Sequence, residues 1–243
     1  MNPVDEFKKE CQDRIKGYSI NKPLKEASAL FMKSSGDAKY TYNFTWLGRP
    51  IIQYPQDIIA MQEIIWQVKP DLIIETGIAH GGSLIFYASM LELLGGKGHV
   101  VGIDIDIRKH NRVEIEKHRM FKRITMIEGS STDEKIAEEV HQMARGKRVL
   151  VCLDSNHTHE HVLRELELYA PLVSVGSYCV VFDTIIENMP KGTYADRPWD
   201  VGNNPKTAVQ AYLNEHDESM VDVEIENKLL ITVAPGGYLR RVR

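Results

Sequence analysis

Short runs of apolar residues alternate with longer stretches of helical periodicity through most of the chain from Asp71 onward. The short runs predict five strands, and the longer stretches predict the helices between them. The strands are DLIIET, HVVGIDID, ITMIEGS, RVLVCLDS and SYCVVFDT; the helices are GSLIFYASMLELLGG, KHNRVEIEKH, TDEKIAEEVHQMA and THEHVLRELELYA. Strands that are apolar on both faces and joined by helices pair in parallel and are covered on both sides. With right-handed crossovers, the pattern predicts an α/β protein with a doubly wound sheet.

The two ends of the chain depart from this alternation. Residues 1–55 form a mixed polar segment with an aromatic cluster, YTYNFTWLG, which we expect to cover the active-site edge of the main domain, residues 56–243. That domain opens with an amphipathic helix, PQDIIAMQEIIWQVKP. Near the C-terminus, MVDVEIE and LLITVAPGGYLRRV are predicted to be strands with no helix between them. A mostly parallel sheet that ends in an antiparallel β-hairpin is typical of Rossmann-like class I methyltransferases.

Composition narrows the class of protein without choosing a function. Hydrophobic residues make up 43% and charged residues 26% of the 243 residues, as in ordinary soluble globular proteins. The net charge of −4 gives no electrostatic reason to bind nucleic acid or an anionic membrane. No apolar run approaches the ~20 residues of a membrane span, and the charged opening MNPVDEFKKECQDRIK is unlike a signal segment. With three cysteines interpreted as free thiols, we expect a cytoplasmic protein.

Every predicted strand brings a carboxylate to the same edge of the sheet. The five strands end, in turn, at Glu75, Asp104, Glu128, Asp154 and Asp183. In an open α/β sheet, ligands bind beyond the carboxyl ends of the strands, near the point where the strand order reverses. This concentration of acids is the main indication that the edge is a functional site.

The loop ETGIAHGGS after the first strand predicts a nucleotide site without the dinucleotide fingerprint. Its glycines follow the order G-x-x-x-G-G rather than G-x-G-x-x-G, and glycine lets a ligand approach the backbone and the next helix N-terminus. Glu75 would repel a diphosphate but could help to hold an ammonium or sulfonium group, which favours S-adenosylmethionine over NAD. The alternative is a helix-capping turn in which Glu75 is merely solvated.

Two further turns fit the remaining parts of such a cofactor. Asp104 follows the loop at the distance expected for an acid that accepts hydrogen bonds from ribose hydroxyls, a feature that NAD sites share. The turn IEGSS, with Ser130 and Ser131, resembles the adenine-side turn of the same sites. Ser130 and Thr132 could equally be helix caps.

Asp154 and Asp183 end neighbouring predicted strands, so their carboxylates should converge. Two carboxylates at one point repel each other unless one is protonated or a cation lies between them. Oxygen ligands favour Mg²⁺, or else Mn²⁺ or Ca²⁺, and such a metal would clamp and acidify a substrate hydroxyl. The alternative is two separately solvated loop aspartates.

The segment SNHTHEH, which follows Asp154, contains three histidines. A zinc site is disfavoured because residues spaced i, i+2 and i+4 cannot all face one way on a helix. His157 lies nearest the strand end, so it is the one candidate for a general base. The other two are expected to be solvated.

These motifs together resemble a known family. The segments YNFTWLGRPIIQYPQD, ETGIAHGGS, LDSNHTHEHVLRELELYAPLVSVGSY and VVFDT are similar, in this order, to the cephalosporin hydroxylase/rhamnosyl O-methyltransferase family, from about Tyr40 to the C-terminus. The family is similar in fold to catechol O-methyltransferase, and its members use S-adenosylmethionine and Mg²⁺ to methylate hydroxyls. The resemblance implies the cofactor residues Glu75, Gly77, Ser83 and Asp104 and the metal ligands Asp154 and Asp183.

One position departs from the family pattern. Related metal sites can place a Glu–Asp pair where this chain has Phe182–Asp183, and phenylalanine cannot ligate a cation. Thr184, Glu187 or a water could take the missing place. Metal dependence is therefore the part of the resemblance that most needs the structure.

The segment NMPKGTYADRPWDVGNNPKTAVQAYL, which follows the fifth strand, is long and rich in Pro, Gly and Asn. A loop of this length beside an active edge is typical of a lid or a substrate-binding element. Arg197 and Trp199 could contact a sugar-like acceptor there, or they could anchor the loop to the body of the protein.

The sequence therefore predicts an S-adenosylmethionine-dependent, metal-assisted O-methyltransferase that acts on a hydroxyl of a sugar, a glycolipid or a natural product. One rival is a nicotinamide-dependent oxidoreductase, which the glycine spacing disfavours. Another is a non-catalytic S-adenosylmethionine-binding partner subunit, which Phe182 motivates. No nucleic-acid partner is expected, and the family resemblance implies a homo-oligomer.

Overall fold

The computed structural model describes residues 2–243. The segment that the sequence marks only as mixed polar folds into two helices, α1 (Pro3–Ile20) and α2 (Lys22–Asp37). The side chains of Asn2 and Asn21 accept hydrogen bonds from backbone N–H groups in the first turns of α1 and α2, and a proline stands in each first turn. Residue burial explains why the apolar pattern did not mark α1: none of its described residues is buried.

The rest of the chain forms a short two-stranded ribbon, a seven-stranded sheet and the helices that cover the sheet. The strands are β1 (Thr45–Trp46), β2 (Arg49–Pro50), β3 (Leu72–Thr76), β4 (His99–Asp104), β5 (Ile124–Glu128), β6 (Val149–Leu153), β7 (Tyr178–Val181), β8 (Ser219–Val221) and β9 (Tyr238–Arg241). The helices are α3 (Pro55–Val68), α4 (Gly82–Leu94), α5 (Lys109–Glu116), α6 (Glu134–Ala144), α7 (His159–Tyr169), α8 (Pro205–Glu215) and α9 (Val223–Leu229).

The sheet confirms the predicted fold class. Its strand order is β5-β4-β3-β6-β7-β9-β8, in which β3 to β7 are parallel and β9 and β8 are antiparallel to their neighbours. The order reverses between β3 and β6: the chain runs from β3 toward β5 on one side of the sheet and from β6 toward β7 on the other. The carboxyl ends of these two strands therefore mark the expected ligand site.

The prediction of two C-terminal strands with no helix between them is wrong in one respect. The residues of MVDVEIE form β8 and then most of helix α9, so the antiparallel pair is joined by a helix. Asp222 is responsible, because its side chain accepts hydrogen bonds from the backbone N–H groups of Glu224 and Ile225 and caps α9. The alternation of apolar and acidic residues that suggests a strand is overridden by this cap.

Two apolar layers hold the helices against the sheet. Ile73 packs on the face covered by α3 and α4, whereas the next residue, Ile74, packs on the face covered by α6, α7 and α8. Both side chains are fully buried, as expected for a parallel strand with helices on each side. Among residues 2–243, no helix is both long and apolar enough to cross a membrane.

Candidate functional site

Three side chains that could hold a metal ion converge at the carboxyl ends of β6 and β7. Asp154, His157 and Asp183 each offer one ligand atom, and these atoms lie within 4.8 Å of one another. Nε2 of His157 lies 3.4 Å from Oδ2 of Asp183. The predicted convergence of the two aspartates is therefore seen in the structure, and the imidazole joins them.

Local backbone contacts place the two aspartates. The backbone N–H of Asp154 donates to the carbonyl of Thr76 across the switch point at 2.9 Å, which fixes the end of β6 against β3. Asp183 has a φ of 55°, in the left-handed region that aspartate enters more readily than most residues. This conformation turns the chain sharply at the residue that faces His157.

Phe182, the departure from the family pattern, is a core residue. Its side chain is 1% exposed and belongs to the apolar layer between the sheet and α3 and α4. The position has therefore exchanged a carboxylate for packing, and His157 supplies the third candidate ligand. An imidazole with two carboxylates suits Mn²⁺ and related ions. It also suits Mg²⁺, which takes mainly oxygen ligands, because two of the three groups are carboxylates.

The two side chains considered as substitutes for the lost carboxylate are engaged elsewhere. Thr184, which was expected among the metal ligands, is fully buried, and its hydroxyl donates to the carbonyl of Pro235 at 3.0 Å. A carboxylate oxygen of Glu187 accepts hydrogen bonds from the side chain of Asn204 and the backbone of Gly202. Glu187 therefore holds the long loop, and Thr184 ties the turn after β7 to the C-terminal segment instead of facing the cluster.

The electrostatics of the cluster call for a cation. Burial, and next the carboxylate of Asp183, raise the pKa of Asp154 well above its usual range. A metal ion between the two carboxylates would reverse both effects, because an opposite charge favours the ionised form. The two neighbouring carboxylates repel each other when both are ionised, and a divalent cation between them would remove that repulsion.

The glycine loop packs directly against this cluster. A Cβ on Gly77 would lie 2.1 Å from the carbonyl oxygen of Asp154, and a Cβ on Gly82 would lie 2.1 Å from the carbonyl oxygen of Pro50. Only glycine permits such approaches, so these two positions fix the loop between β6 and the segment after β2. The loop and Asp154 consequently line one pocket, together with residues 50–53.

Glu75 lies beneath the loop and is 1% exposed. The hydroxyl of Ser83 donates to its carboxylate at 2.6 Å. Burial raises the pKa of Glu75 to about 8, even though the Ser83 hydrogen bond acts in the opposite direction. The alternative in which Glu75 is a solvated acid is therefore wrong, and the buried carboxyl would be stabilised in its ionised form by a positively charged ligand.

Asp104 lies at the predicted place, but its carboxylate also holds the loop itself. Oδ2 accepts hydrogen bonds from the backbone N–H groups of Ile78 at 2.8 Å and Ala79 at 3.2 Å. Oδ1 accepts one from the backbone of Asp106. The predicted ribose ligand thus shapes the glycine loop as well, and its role toward a cofactor stays a prediction.

The predicted adenine-side serines differ in where their hydroxyls point. The hydroxyl of Ser130 pairs with that of Thr132 at 2.8 Å near the surface. The hydroxyl of Ser131 instead donates to buried Glu165 at 2.5 Å, and the hydroxyl of Ser155 donates to the same oxygen at 2.6 Å. A cofactor contact from Ser131 would therefore come from its backbone, while its side chain ties the turn after β5 to the turn after β6.

Several residues that the sequence reasoning did not single out complete the site. Arg49 donates to the carbonyl of His80 at 2.6 Å and to the side chain of Asn111 at 3.1 Å, so it holds the glycine loop from outside. Gln53 donates to Oδ2 of Asp154 at 3.4 Å. Both residues lie in the motif YNFTWLGRPIIQYPQD, and the family resemblance of that motif is the sequence signal that could have identified them.

The long loop reaches the cluster through one aromatic residue. The ring of Trp199 meets the ring of His157 edge to face, with centroids 4.7 Å apart. The guanidinium of Arg197 lies 5.5 Å from the centroid of the Trp199 ring. The loop therefore contacts the candidate general base directly.

Comparison with known proteins adds family and fold. A family model described as Rhamnosyl O-methyltransferase/CmcI matches residues 38–242. The rhamnosyl O-methyltransferase of Mycobacterium tuberculosis H37Rv is 33% identical over 201 residues, which cover 81% of this chain and 78% of that protein. The protein of the same name from Mycobacterium leprae is 31% identical over 201 residues, which cover 81% of this chain and 82% of that protein.

Solved structures agree on the fold. A CmcI chain solved with Mg and SAM superposes with a TM-score of 0.60 at 21% identity, over 83% of this chain and 78% of that chain. An O-methyltransferase from Bacillus cereus in complex with SAH superposes with a TM-score of 0.51 at 14% identity, over 92% of each chain. At these identities the likeness establishes the shared Rossmann-like architecture.

Proposed function

This chain belongs to the rhamnosyl O-methyltransferase/CmcI family, and from that premise we propose that it transfers a methyl group from S-adenosylmethionine to a hydroxyl of a rhamnose-containing acceptor. The acceptor is taken from the name of the mycobacterial relatives. The observation that carries the proposal is the Asp154–His157–Asp183 cluster, which lies directly beside the glycine loop. This arrangement brings a place for the acceptor hydroxyl next to a place for the methyl donor.

The buried parts of the loop fit a cationic cofactor. Glu75 is a buried carboxyl whose ionised form lacks a counterion among the described residues, and Gly77 and Gly82 leave no side chain between the loop and its neighbours. Asp104 stands at the end of β4, where an acid can face ribose hydroxyls. We therefore assign the methionine end of S-adenosylmethionine to the pocket between the loop and residues 50–53, with the ribose toward Asp104.

The chain's own residues divide the work of the transfer. A divalent cation at the cluster, Mg²⁺ or Mn²⁺, would clamp the acceptor oxygen and lower the pKa of its hydroxyl. Asp154 and Asp183 would hold that cation, and His157 serves here as the base rather than as a third ligand: its imidazole, 3.4 Å from Asp183, takes the hydroxyl proton. The acceptor oxygen bonds to the methyl carbon as the carbon–sulfur bond breaks, and the sulfonium becomes a neutral thioether. Holding the two reactants in line supplies much of the acceleration.

The long loop after β7 and the N-terminal segment would complete the acceptor side of the site. We assign Trp199 and Arg197 to the acceptor, because Trp199 already touches His157 and presents an aromatic ring beside the cluster. Residues 1–55 are assigned to covering this edge, because Pro50 and Gln53 line the pocket with the glycine loop. A cytoplasmic location and a homo-oligomer complete the proposal.

The test is a binding measurement followed by an activity measurement. Isothermal titration with S-adenosylhomocysteine should show binding, and NAD should show none. With labelled S-adenosylmethionine, methyl transfer to a rhamnoside should exceed transfer to a matched glucoside and should require Mg²⁺ or Mn²⁺. Binding of NAD in place of S-adenosylhomocysteine would favour an oxidoreductase, and binding of S-adenosylhomocysteine without turnover on any acceptor would favour a non-catalytic partner subunit.

A further inference from the structure

We propose that Gln53 binds the α-ammonium group of the methionine part of S-adenosylmethionine; this inference rests on the proposed function. Gln53 follows the short strand β2 and is 7% exposed. Its amide nitrogen faces Asp154 at 3.4 Å, while its side-chain oxygen is buried and has no hydrogen-bond partner among the described residues. Buried polar atoms in native proteins nearly always have a partner, so an orphan beside a pocket indicates that the ligand supplies it.

The pocket determines what kind of partner this is. Gln53 lines it together with Asp154 and the glycine loop, residues 77–83. A side-chain oxygen accepts hydrogen bonds, so its partner must be a donor or a cation. Asp154 on one side and buried Glu75 under the loop add further acceptor oxygens, which favours an ammonium with three N–H donors over a hydroxyl with one.

The position of the pocket separates the ammonium from the metal. Gln53 reaches the cluster only through Asp154, and His157 and Asp183 are not among the described residues that line this pocket. The loop side of Asp154 is therefore the cofactor side, and the His157 side is the metal and acceptor side. Gln53 stands on the first of these.

The backbone around Gln53 is held before any ligand arrives. Ile51 is buried and its N–H donates to the carbonyl of Phe44 at 3.1 Å. On the other side, the hydroxyl of buried Tyr54 pairs with that of Ser35 on α2 at 2.6 Å. Segments fixed on both sides lose little freedom when they bind, so the amide is preorganised for its ligand. The N-terminal helices thereby contribute to the cofactor site without touching it.

The experiment compares two ligands that differ in the amino-acid group. S-adenosylhomocysteine carries the ammonium group, whereas 5′-methylthioadenosine shares the adenosine thioether and lacks the amino-acid end. In Gln53→Met, which keeps the side-chain length without the amide, affinity for S-adenosylhomocysteine should fall about 10- to 100-fold, as for a hydrogen bond to a charged group. Affinity for 5′-methylthioadenosine, measured by the same titration, should stay within about twofold of the parent value.

Gln56→Met is the matched control. The side-chain oxygen of Gln56 is also buried and has no partner among the described residues. Gln56 lies in the first turn of α3, however, and is not one of the described residues that line the pocket. Both affinities should be unchanged in this variant. A thermal unfolding curve of each variant checks that the fold is kept, and Gln53→Leu replaces Gln53→Met if the latter fails to fold.

A third ligand tests whether Gln53 and the amino group act on each other. A deaminated analogue of S-adenosylhomocysteine should bind the parent protein about 10- to 100-fold more weakly than S-adenosylhomocysteine and should bind Gln53→Met equally weakly. Equal losses for all ligands in Gln53→Met, or no loss for S-adenosylhomocysteine, would overturn the assignment. So would a loss confined to Mg²⁺ affinity, which would make the oxygen a metal ligand. If the parent protein binds no adenosine ligand at all, the proposed function itself fails, which is a different result.

Discussion

Two acidic sites of this protein differ both in burial and in how their carboxylate oxygens are satisfied. Asp57, in the first turn of α3, is fully buried and accepts hydrogen bonds from the hydroxyls of Thr232 and Tyr238 and from the backbone of Val233. Asp154 receives one long hydrogen bond, from Gln53, and faces a second carboxylate, Asp183. The first site is complete within the chain, and the second is not.

The difference indicates which acid stabilises the fold and which acts on a ligand. Asp57 joins α3 to the segment before β9 and to the first residue of β9, so its hydrogen bonds connect parts of the chain that are 175 or more residues apart. The Asp154–Asp183 pair connects little and is held together against its own repulsion. Sites that keep such unfavourable arrangements are often functional. Substitutions at the two sites should therefore have opposite effects on activity and on stability.

The largest effect is expected at the unsatisfied site. Asp154→Ala should reduce methyl transfer by about 1000-fold or more, because it removes a candidate metal ligand and with it the electrostatic stabilisation of the acceptor oxygen. Its unfolding free energy should be unchanged or higher, because one of two repelling carboxylates is gone. Initial rates and denaturant unfolding check both expectations, and a large loss of stability with normal specific activity would reverse the comparison.

The opposite result is expected at the satisfied site. Asp57→Ala leaves the donors of Thr232, Val233 and Tyr238 buried without a partner, and each such donor costs about 1–3 kcal/mol. The free energy of unfolding should therefore fall by roughly 3 kcal/mol or more. Activity per folded molecule should stay close to that of the parent protein when measured below the new melting temperature.

The pH dependence of stability sharpens the distinction. Burial raises the pKa of Asp57 from 3.8 to about 6, so the folded state holds its proton more tightly than the unfolded state does. The stabilisation is fully present below about pH 4 and is lost as the pH rises through 6, by roughly 2–3 kcal/mol in total. Asp57→Asn, which cannot titrate, should lose this part of the pH profile. Urea unfolding from pH 4 to pH 8 compares the two, and identical profiles would rule out Asp57 as the source.

The smallest effect concerns another buried acid, Glu75. Its pKa is raised by burial to about 8, and a bound sulfonium would favour the ionised form. Affinity for S-adenosylmethionine should therefore rise by up to about 10-fold as the pH increases from 7 to 9. The rise should be smaller for S-adenosylhomocysteine, because its sulfur carries no charge. Titrations of both ligands across this range, repeated with Glu75→Gln, measure the difference. A rise that persists in Glu75→Gln would assign it to another group.

Sequence patterns predicted the parallel part of the sheet well because each strand there is a short apolar run and is separated from the next by a helix of eight or more residues. They failed where local side-chain hydrogen bonds decide the structure. The Asn2 and Asn21 caps begin two N-terminal helices that have almost no buried face, and the Asp222 cap turns an alternating segment into α9. Caps of this kind are single residues, so they leave no periodic signal.

The candidate site was predicted in its parts rather than in its connections. Glu75, Asp104, Asp154 and Asp183 were found because carboxyl ends of parallel strands share an edge. That Ser131 would turn inward to Glu165 could not be foreseen, because the partner lies 34 residues further along the chain on another element. The same holds for Gln53, whose contact with Asp154 spans 101 residues.

The sequence by itself determined the order of strands and helices from β3 to β7, the edge at which the acids gather and the family to which the chain belongs, because all three depend on local periodicity and on motifs. Only the tertiary structure decided which acids are satisfied and which are not. Asp57 and Asp154 are alike in sequence, as single aspartates at the end of an apolar or loop segment. What separates them is the set of donors that folding brings to one and withholds from the other, and burial gives that difference its energetic weight.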